Sequence, residues 1–168
     1  MDGACINNGE GDAQAGCRIW YWENDPRNTG ERVPHRKQSN QTGELTAVFL
    51  AVKRHDPAKD LRIISDSKYI IDGLTTNLKR WERRGWMDVS HSNLFRAIVA
   101  WAQRWTGNTY LQWVKGHSGI RGNEEADRLA STGAVKPMTL TDNNLAPLRE
   151  GRKLGQLWQA SAKKTSIR

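Results

Sequence analysis

Four acidic residues stand where predicted elements of secondary structure begin or end, and together they could form one site. Asp66 follows the apolar run Leu61–Ser65, and Glu44 lies in the first turn of a predicted helix. Asp127 borders the apolar side of another predicted helix, and Asp2 opens an Asp-Gly pair. Singly, each is as well explained by a helix cap, a favourable charge at a helix start or a turn. Clustered carboxylates would instead suit a hard divalent cation such as Mg²⁺.

The elements predicted around these acids are three early strands followed by the order helix, strand, helix, strand, helix. Apolar residues at i, i+3, i+4 and i+7 predict an amphipathic helix over 42–55. This order predicts an α/β fold with a mixed sheet and helices on its faces. In such folds, catalytic side chains lie at the ends of strands and the starts of the adjoining helices. The predicted strands cover 15–24, 29–37, 61–65 and 109–114, and the further predicted helices cover 68–74, 78–84, 94–105 and 123–132.

Four short motifs, in order along the chain, together resemble the type 1 ribonuclease H family. The segment 116–130, GHSGIRGNEEADRLA, resembles the last active-site segment of that family. The sequence DSKY at 66–69 is similar to its central Asp-Ser motif, and NQTGEL at 40–45 to its Asn-rich loop leading to a catalytic Glu. DGAC at 2–5 resembles its opening Asp-Gly motif, so the resemblance covers residues 2 to about 133.

This resemblance implies a ribonuclease H-like α/β fold, with a five-stranded mixed sheet flanked by helices and a truncated first strand. It also implies a metal-dependent endonuclease that hydrolyses the RNA strand of RNA/DNA hybrids with two Mg²⁺ ions, Mn²⁺ being possible instead. His117, in the Gly-rich loop, would be an accessory catalyst that moves protons near pH 7 without binding metal, although a surface histidine is the plain alternative. The implied metal ligands are Asp2, Glu44, Asp66 and Asp127, with Asp2 and Asp66 in shared positions, Glu44 serving one ion and Asp127 the other.

The resemblance further implies polar contacts with the substrate, because an A-like duplex presents 2′-hydroxyls across a wide minor groove. Asn40 and Gln41 would contact the edges of that groove. Asn8, with the backbone near Cys5, would contact the RNA strand, and Asn7 is an equally plausible occupant of the Asn8 role.

The segment 79–86 resembles the basic protrusion of many family members. Its cations suit phosphate contact and its indoles suit packing against sugars, while the alternative is a solvated helix face with Trp81 packed inward. Phe95 stands where the family often has a large aromatic that supports this surface, and it could equally be core. The full set of predicted substrate-binding residues is Cys5, Asn8, Asn40, Gln41, Lys79, Arg80, Trp81, Arg83, Arg84, Phe95 and Asn123. The tryptophans predicted to pack in the core or on strand faces are Trp20, Trp22, Trp101, Trp105 and Trp113.

The composition agrees with a polyanionic partner. The 168 residues hold 26 Lys and Arg against 18 Asp and Glu, which gives a net charge of +8. We predict a catalytic domain at 1–133, followed by a basic extension of unknown role at 134–168. No run of 18 apolar residues and no basic-then-apolar leader is present, so we expect neither a membrane span nor secretion. With only two cysteines, a reduced intracellular compartment, nuclear or cytoplasmic, is expected.

Two departures from the family pattern leave alternatives open. Only Met1 precedes Asp2, so the first strand is expected to pair weakly and leave Asp2 at a mobile terminus. Gly43 stands where a larger residue is common and is expected to weaken the helix start. The alternatives are a degenerate relative that binds hybrids or other nucleic acid without cutting, a retroelement-derived ribonuclease H domain, and another nuclease or transposase-like member of the broader fold. We expect a monomer or a part of a larger polyprotein.

Overall fold

The structure is a computed structural model that describes residues 1–116, 132–137 and 159–160. Three strands come first, followed by a helix, a strand, three helices and two further strands among the described residues. The strands are β1 (Asp2–Ile6), β2 (Gln14–Ile19), β3 (Thr29–Arg32), β4 (Leu61–Ser65), β5 (Thr109–Trp113) and β6 (Gln159–Ala160). The helices are α1 (Asn40–Arg54), α2 (Lys68–Leu74), α3 (Leu78–Arg83) and α4 (Ser92–Ala102).

The strands form two ladders of different kinds, which confirms the predicted mixed α/β fold. The ladder β1-β2-β3 is antiparallel, and the ladder β4-β5-β6 is parallel. The amino group of Met1 donates to the carbonyl of Ile64 over 3.1 Å and so links the start of β1 to β4. The described strands number six rather than five, because β6 comes from the predicted extension and pairs with β5.

The first strand is short, but its pairing is complete. All five residues of β1 lie opposite β2, from Asp2 facing Arg18 to Ile6 facing Gln14. Asp2 is buried, with 8% of its surface exposed. The expectation that Asp2 lies in a weakly paired terminus was therefore wrong, since cross-strand pairing on one side holds the strand.

Helix α1 begins two residues earlier than predicted, because a capping box defines its start. The Ser39 hydroxyl accepts from the Thr42 N–H over 3.2 Å, and the Thr42 hydroxyl accepts from the Ser39 N–H over 2.8 Å. Glu44 consequently lies in the second turn and not in the first. The predicted apolar stripe of α1 is fully or almost fully buried, and the helix packs on β1, β2 and α4.

Strand β2 ends at Ile19, five residues before the predicted end. A turn begins there, in which the Tyr21 N–H donates to the side-chain oxygen of Asn28 over 2.8 Å and the Asp25 N–H donates to the carbonyl of Trp22 over 3.2 Å. These bonds satisfy the backbone locally in place of a strand ladder. Helix α4 likewise ends at Ala102, short of the predicted 105.

Two of the tryptophans predicted to pack in the core or on strand faces are exposed. Trp22 is 58% exposed in the β2–β3 turn, so the prediction was wrong for this residue. Trp113 is 43% exposed and lies at the end of strand β5, outside the core but on a strand. Trp101 and Trp105 pack against the core as predicted. None of the helices among the described residues combines the length and apolar character needed to cross a bilayer.

Candidate active site

Three of the four predicted acidic residues come together in the fold. Asp2 opens β1, Glu44 projects from the second turn of α1, and Asp66 directly follows β4. Each offers a carboxylate oxygen, and these oxygens lie within 4.8 Å of one another. We call these three residues the acidic cluster. A single divalent ion could contact all three, because such an ion binds several oxygens at once.

Close packing between two glycines brings Glu44 to Asp2. A Cβ atom on Gly3 would lie 2.0 Å from the backbone nitrogen of Glu44 and 2.7 Å from the Cα of Gly43. A Cβ atom on Gly43 would lie 2.5 Å from the carbonyl oxygen of Gly16. Helix propensity makes glycine unfavourable at position 43 of α1. Packing explains why it is there, because a residue without a side chain lets α1 start directly against β1 and β2.

Asp66 is held at the point where β4 and β5 stop pairing. Ser65 lies opposite Trp113 in the last pair of the ladder, and the Trp113 indole N–H donates to the Asp66 carbonyl over 2.8 Å. The N-cap residue of α2 is Ser67, so the interpretation of Asp66 as a helix cap does not hold. A Cβ atom on Gly116 would lie 2.6 Å from Oδ2 of Asp66, which means that glycine leaves room for this carboxylate.

The electrostatics of the acidic cluster favour a bound cation. Burial raises the pKa of Glu44 to about 7, and the charges of Asp2 and Asp66 push it in the same direction, while a hydrogen bond with the Ser67 side chain opposes them. A divalent cation would offset the mutual repulsion by stabilising the ionised carboxylates. Three hard oxygen donors also match the preference of Mg²⁺, so the residues present fit such an ion.

Several other predicted residues fall outside the described part of the chain. Asp127, the fourth predicted metal ligand, lies there, as do His117 and Asn123. Their positions relative to the acidic cluster therefore stay predictions from the sequence.

The polar residues predicted to contact a substrate lie on two neighbouring elements. Asn40 and Gln41 are exposed in the first turn of α1, the helix that carries Glu44. Cys5 is half-buried in β1, and Asn8 is exposed in the following turn. Asn7 donates its side-chain amide to Asp12 over 2.8 Å in the same turn, which favours Asn8 over Asn7 as the residue that faces a ligand.

The predicted basic protrusion is helix α3 with the residue that follows it. Four exposed cations, which we call the basic surface, lie there: Lys79, Arg80, Arg83 and Arg84. Trp81 is half-buried, with its ring centroid 5.1 Å from that of Phe95 and 6.2 Å from that of Trp86. Phe95 is completely buried and packs against Trp81, which agrees with its predicted support of this surface. Direct contact of Phe95 with a substrate stays a prediction from the sequence.

Residues that support the site without charge were missed by the sequence reasoning. Gly3, Ser67 and Trp113 all contact residues of the acidic cluster or the segment that carries them. Gly73 is similar, because a Cβ atom there would lie 2.6 Å from the Phe95 ring. Gly3 and Ser67 belong to the motifs DGAC and DSKY, and Trp113 lies in the strand predicted over 109–114, so each stood in the sequence pattern without a predicted role at the site.

Comparison with known proteins gives a consistent result along most of the chain. The sequence-family model described as RNase H matches residues 1–135. Ribonuclease H of Schizosaccharomyces pombe is 37% identical over 139 residues, which cover 79% of this chain and 51% of the relative. Ribonuclease H1 of Homo sapiens is 36% identical over 142 residues, which cover 79% of this chain and 48% of the relative. The chain thus spans about half the length of these curated relatives.

A shorter relative and a solved structure match over more of their length. Ribonuclease H of Alcanivorax borkumensis is 34% identical over 137 residues, covering 79% of this chain and 87% of the relative. The crystal structure of LC9-RNase H1, a type 1 RNase H with the type 2 active-site motif, matches with a TM-score of 0.59 and 26% identity, covering 79% of this chain and 69% of that one. The α/β fold of this chain is thus shared with a solved structure.

Proposed function

Because this chain belongs to the ribonuclease H family, we propose that it is a metal-dependent endonuclease that hydrolyses the RNA strand of RNA/DNA hybrids. The observation that carries this proposal is the acidic cluster. Asp2, Glu44 and Asp66 come from three separate elements, and their oxygens lie within 4.8 Å of one another. Such a cluster is costly in mutual repulsion without a cation, so its assembly is best explained by metal binding.

We assign the metal positions to the acidic cluster together with Asp127. Two Mg²⁺ ions, or Mn²⁺ in their place, would be held with Asp2 and Asp66 in shared positions, and with Glu44 and Asp127 each serving one ion. When bound, paired divalent ions activate a water and stabilise charge on the attacking and leaving oxygens of a phosphodiester. Glycine packing and the β4–β5 ladder position the elements that carry these carboxylates.

His117 is assigned a proton-transfer role beside this centre. An imidazole titrates near neutral pH, so it can accept or donate a proton as the product phosphate departs. His117 is flanked in the sequence by Gly116 and Gly119. Histidine is not needed as a metal ligand here, since the carboxylates provide hard oxygen donors.

The hybrid would be recognised through its minor groove and its phosphates. Asn40 and Gln41 stand exposed on the helix that carries Glu44, so a groove bound there would pass the acidic cluster. We assign Asn8 and the backbone near Cys5 to the RNA strand, and Asn123 to the same interface. These side chains are short and polar, which suits hydrogen bonds to 2′-hydroxyls and base edges.

The basic surface would bind the phosphate backbone of the duplex. Its four cations are exposed on α3 and the residue after it, while Trp81 and Phe95 hold the helix on the body of the domain. Phosphate contacts fix position and orientation without reading sequence, so the proposed enzyme would accept hybrids of many sequences.

We assign the catalytic domain to residues 1–133 and propose that 134–168 form a basic extension whose role is unknown. Lys136 donates its ammonium to the carbonyl of Gly30 over 2.9 Å, and β6 pairs with β5. In the described part of the extension, residues 134–137 and 159–160, these contacts join it to the domain. We further propose that the chain acts as a monomer or as one part of a polyprotein.

Cleavage assays with a matched pair of variants test the proposal. Labelled RNA/DNA hybrid, duplex DNA and duplex RNA are each incubated with the chain in Mg²⁺ or in chelator. We expect cleavage of the RNA strand of the hybrid only, dependent on Mg²⁺ and abolished in Asp66→Asn. Asp72→Asn, which makes the same change at an exposed position of α2, is the control and is expected to cut normally.

Three outcomes would contradict the proposal in different ways. Tight hybrid binding without cleavage would identify a binding module, and Mg²⁺-dependent cutting of duplex DNA would identify another nuclease of the fold. Normal cleavage by Asp66→Asn would show that the acidic cluster is not the catalytic centre.

A further inference from the structure

The end of β5 contacts the Asp66 segment through one aromatic side chain. The indole N–H of Trp113 donates to the carbonyl oxygen of Asp66 over 2.8 Å. The last backbone bond between the two strands runs from the Val114 N–H to the Ser65 carbonyl over 3.0 Å. Asp66 is the next residue after that bond, so a side-chain donor holds its carbonyl at the point where backbone pairing stops.

The aromatic face of the same residue contacts the start of α2. The Lys68 ammonium lies 5.0 Å from the centroid of the Trp113 ring. This distance is within the range of a cation–π contact. Trp113 therefore holds the chain at Asp66 with its N–H and at Lys68 with its ring face, and the residue between them is Ser67.

The segment held in this way supplies two parts of the acidic cluster. Asp66 provides one carboxylate, and the side chain of Ser67 hydrogen-bonds to Glu44, which provides another. Burial alone gives no reason for a tryptophan at this position, because Trp113 is 43% exposed. Its two polar contacts do give one, since both fix the chain that positions metal ligands.

We propose that Trp113 is a positioning residue that sets the affinity of the acidic cluster for divalent ions. The inference rests on the proposed function, because it assumes that Asp66 binds metal. Groups that orient metal ligands from outside the coordination sphere typically change metal affinity or activity by about 10–100-fold when removed. The effect of removing one neutral hydrogen bond is expected at the lower end of that range, about tenfold.

The test compares two equivalent substitutions in the full chain. Trp113→Phe keeps an aromatic ring but removes the N–H donor, and Trp22→Phe makes the same change at an exposed tryptophan in the β2–β3 turn. Thermal unfolding is followed while Mg²⁺ is titrated, since an ion that binds the folded state raises the melting temperature. We expect Trp113→Phe to need about tenfold more Mg²⁺ for half-maximal stabilisation than the wild type or Trp22→Phe.

A second readout separates positioning from a general loss of structure. In chelator, both variants are expected to melt within a few degrees of the wild type. With hybrid substrate at limiting Mg²⁺, Trp113→Phe is expected to lower kcat and leave KM unchanged. Trp113→His, which restores a ring N–H, is expected to recover part of the Mg²⁺ affinity.

The outcomes distinguish this inference from the proposed function. If Mg²⁺ stabilises the wild type and both variants need the same Mg²⁺ concentration for half-maximal stabilisation, the positioning role is overturned and the metal site is left intact. A lower melting temperature in chelator with an unchanged midpoint would also overturn it, because the role would then be structural. A wild-type chain that Mg²⁺ fails to stabilise would contradict the proposed metal site and this inference with it.

Discussion

Gly3 of β1 and Gly43 of α1 approach so closely that a methyl group on Gly3 would lie 2.7 Å from the Cα of Gly43. The same methyl group would lie 2.0 Å from the backbone nitrogen of Glu44. Because backbone atoms cannot move aside as a flexible side chain can, this close approach sets the distance between the first two carboxylates of the acidic cluster.

Gly3→Ala is accordingly expected to destabilise the fold. Added volume at a tight contact typically costs about 1–3 kcal/mol, and the helix that carries Glu44 must shift to accept it. The free energy of unfolding from urea titration measures the effect. Gly11→Ala is the control, because a Cβ atom there meets nothing within 4 Å, and a change of no more than about 0.5 kcal/mol is expected. Equal stability of the two variants would show that the close approach is not rigid.

The raised pKa of Glu44 predicts how stability changes with pH when metal is removed. The pKa is about 7 in the folded chain, against 4.5 for the free side chain, chiefly because of burial. The folded state therefore binds more protons than the unfolded state between these values, so the free energy of unfolding falls as pH rises from 4.5 to 7. Below 4.5 the carboxyl is protonated in both states and this contribution no longer changes.

Glu44→Gln and Mg²⁺ both test this interpretation. In chelator, the free energy of unfolding of the variant is expected to fall less than that of the wild type as pH rises from 4.5 to 7. Urea titrations at several pH values measure both curves. Adding Mg²⁺ to the wild type is expected to stabilise more at about pH 8 than at about pH 5, because ionised carboxylates bind the cation. Parallel pH curves for wild type and variant in chelator would contradict the assignment.

The basic surface predicts a salt-dependent affinity for hybrids. Replacing Lys79, Arg80, Arg83 and Arg84 with Ala is expected to weaken hybrid binding and flatten the plot of log affinity against log salt concentration. Removing a phosphate-binding cation lowers the steepness of that plot by about 0.7–0.9 for each phosphate no longer neutralised. A variant with Lys59, Arg62, Arg96 and Arg104 replaced removes the same charge from exposed positions outside α3 and serves as the control. An equal change in both slopes would mean that net charge, and not this surface, sets the affinity.

Phe95 supports the helix that carries the basic surface by packing against Trp81. Phe95→Ala is expected to cost about 3–5 kcal/mol, because the residue is fully buried and packs against Tyr69 and Trp81. Binding measured at a temperature where the variant stays folded is expected to be weaker, with an unchanged salt slope, since all four cations of the basic surface are still present. A changed slope with unaltered stability would indicate that Phe95 touches the substrate directly.

The sequence predicted charged and apolar positions better than it predicted backbone contacts. The stripe that includes Leu45 and Phe49 predicted a buried helix face, and the motif order predicted which acids would be related. The start of α1 was placed two residues late, because the Ser39–Thr42 capping box is a local hydrogen-bond pattern that apolar periodicity does not contain.

The remaining errors have a common physical origin in tertiary contacts. Gly43 is unfavourable by helix propensity, yet it is required by the close approach of Gly16. Trp113 resembles a packing residue by its strand position, yet its N–H and its exposed ring contact the segment of Asp66. Propensity and alternation describe one element at a time, so contacts between elements lay beyond them.

The central claim is that Asp2, Glu44 and Asp66 jointly bind divalent ions. Anomalous scattering from crystals of the chain soaked in Mn²⁺ tests it most directly. We expect a strong anomalous peak bonded to carboxylate oxygens of all three residues, and no such peak in Asp66→Asn. A saturated soak with no peak among these oxygens, or with ions bound only elsewhere, would contradict the claim.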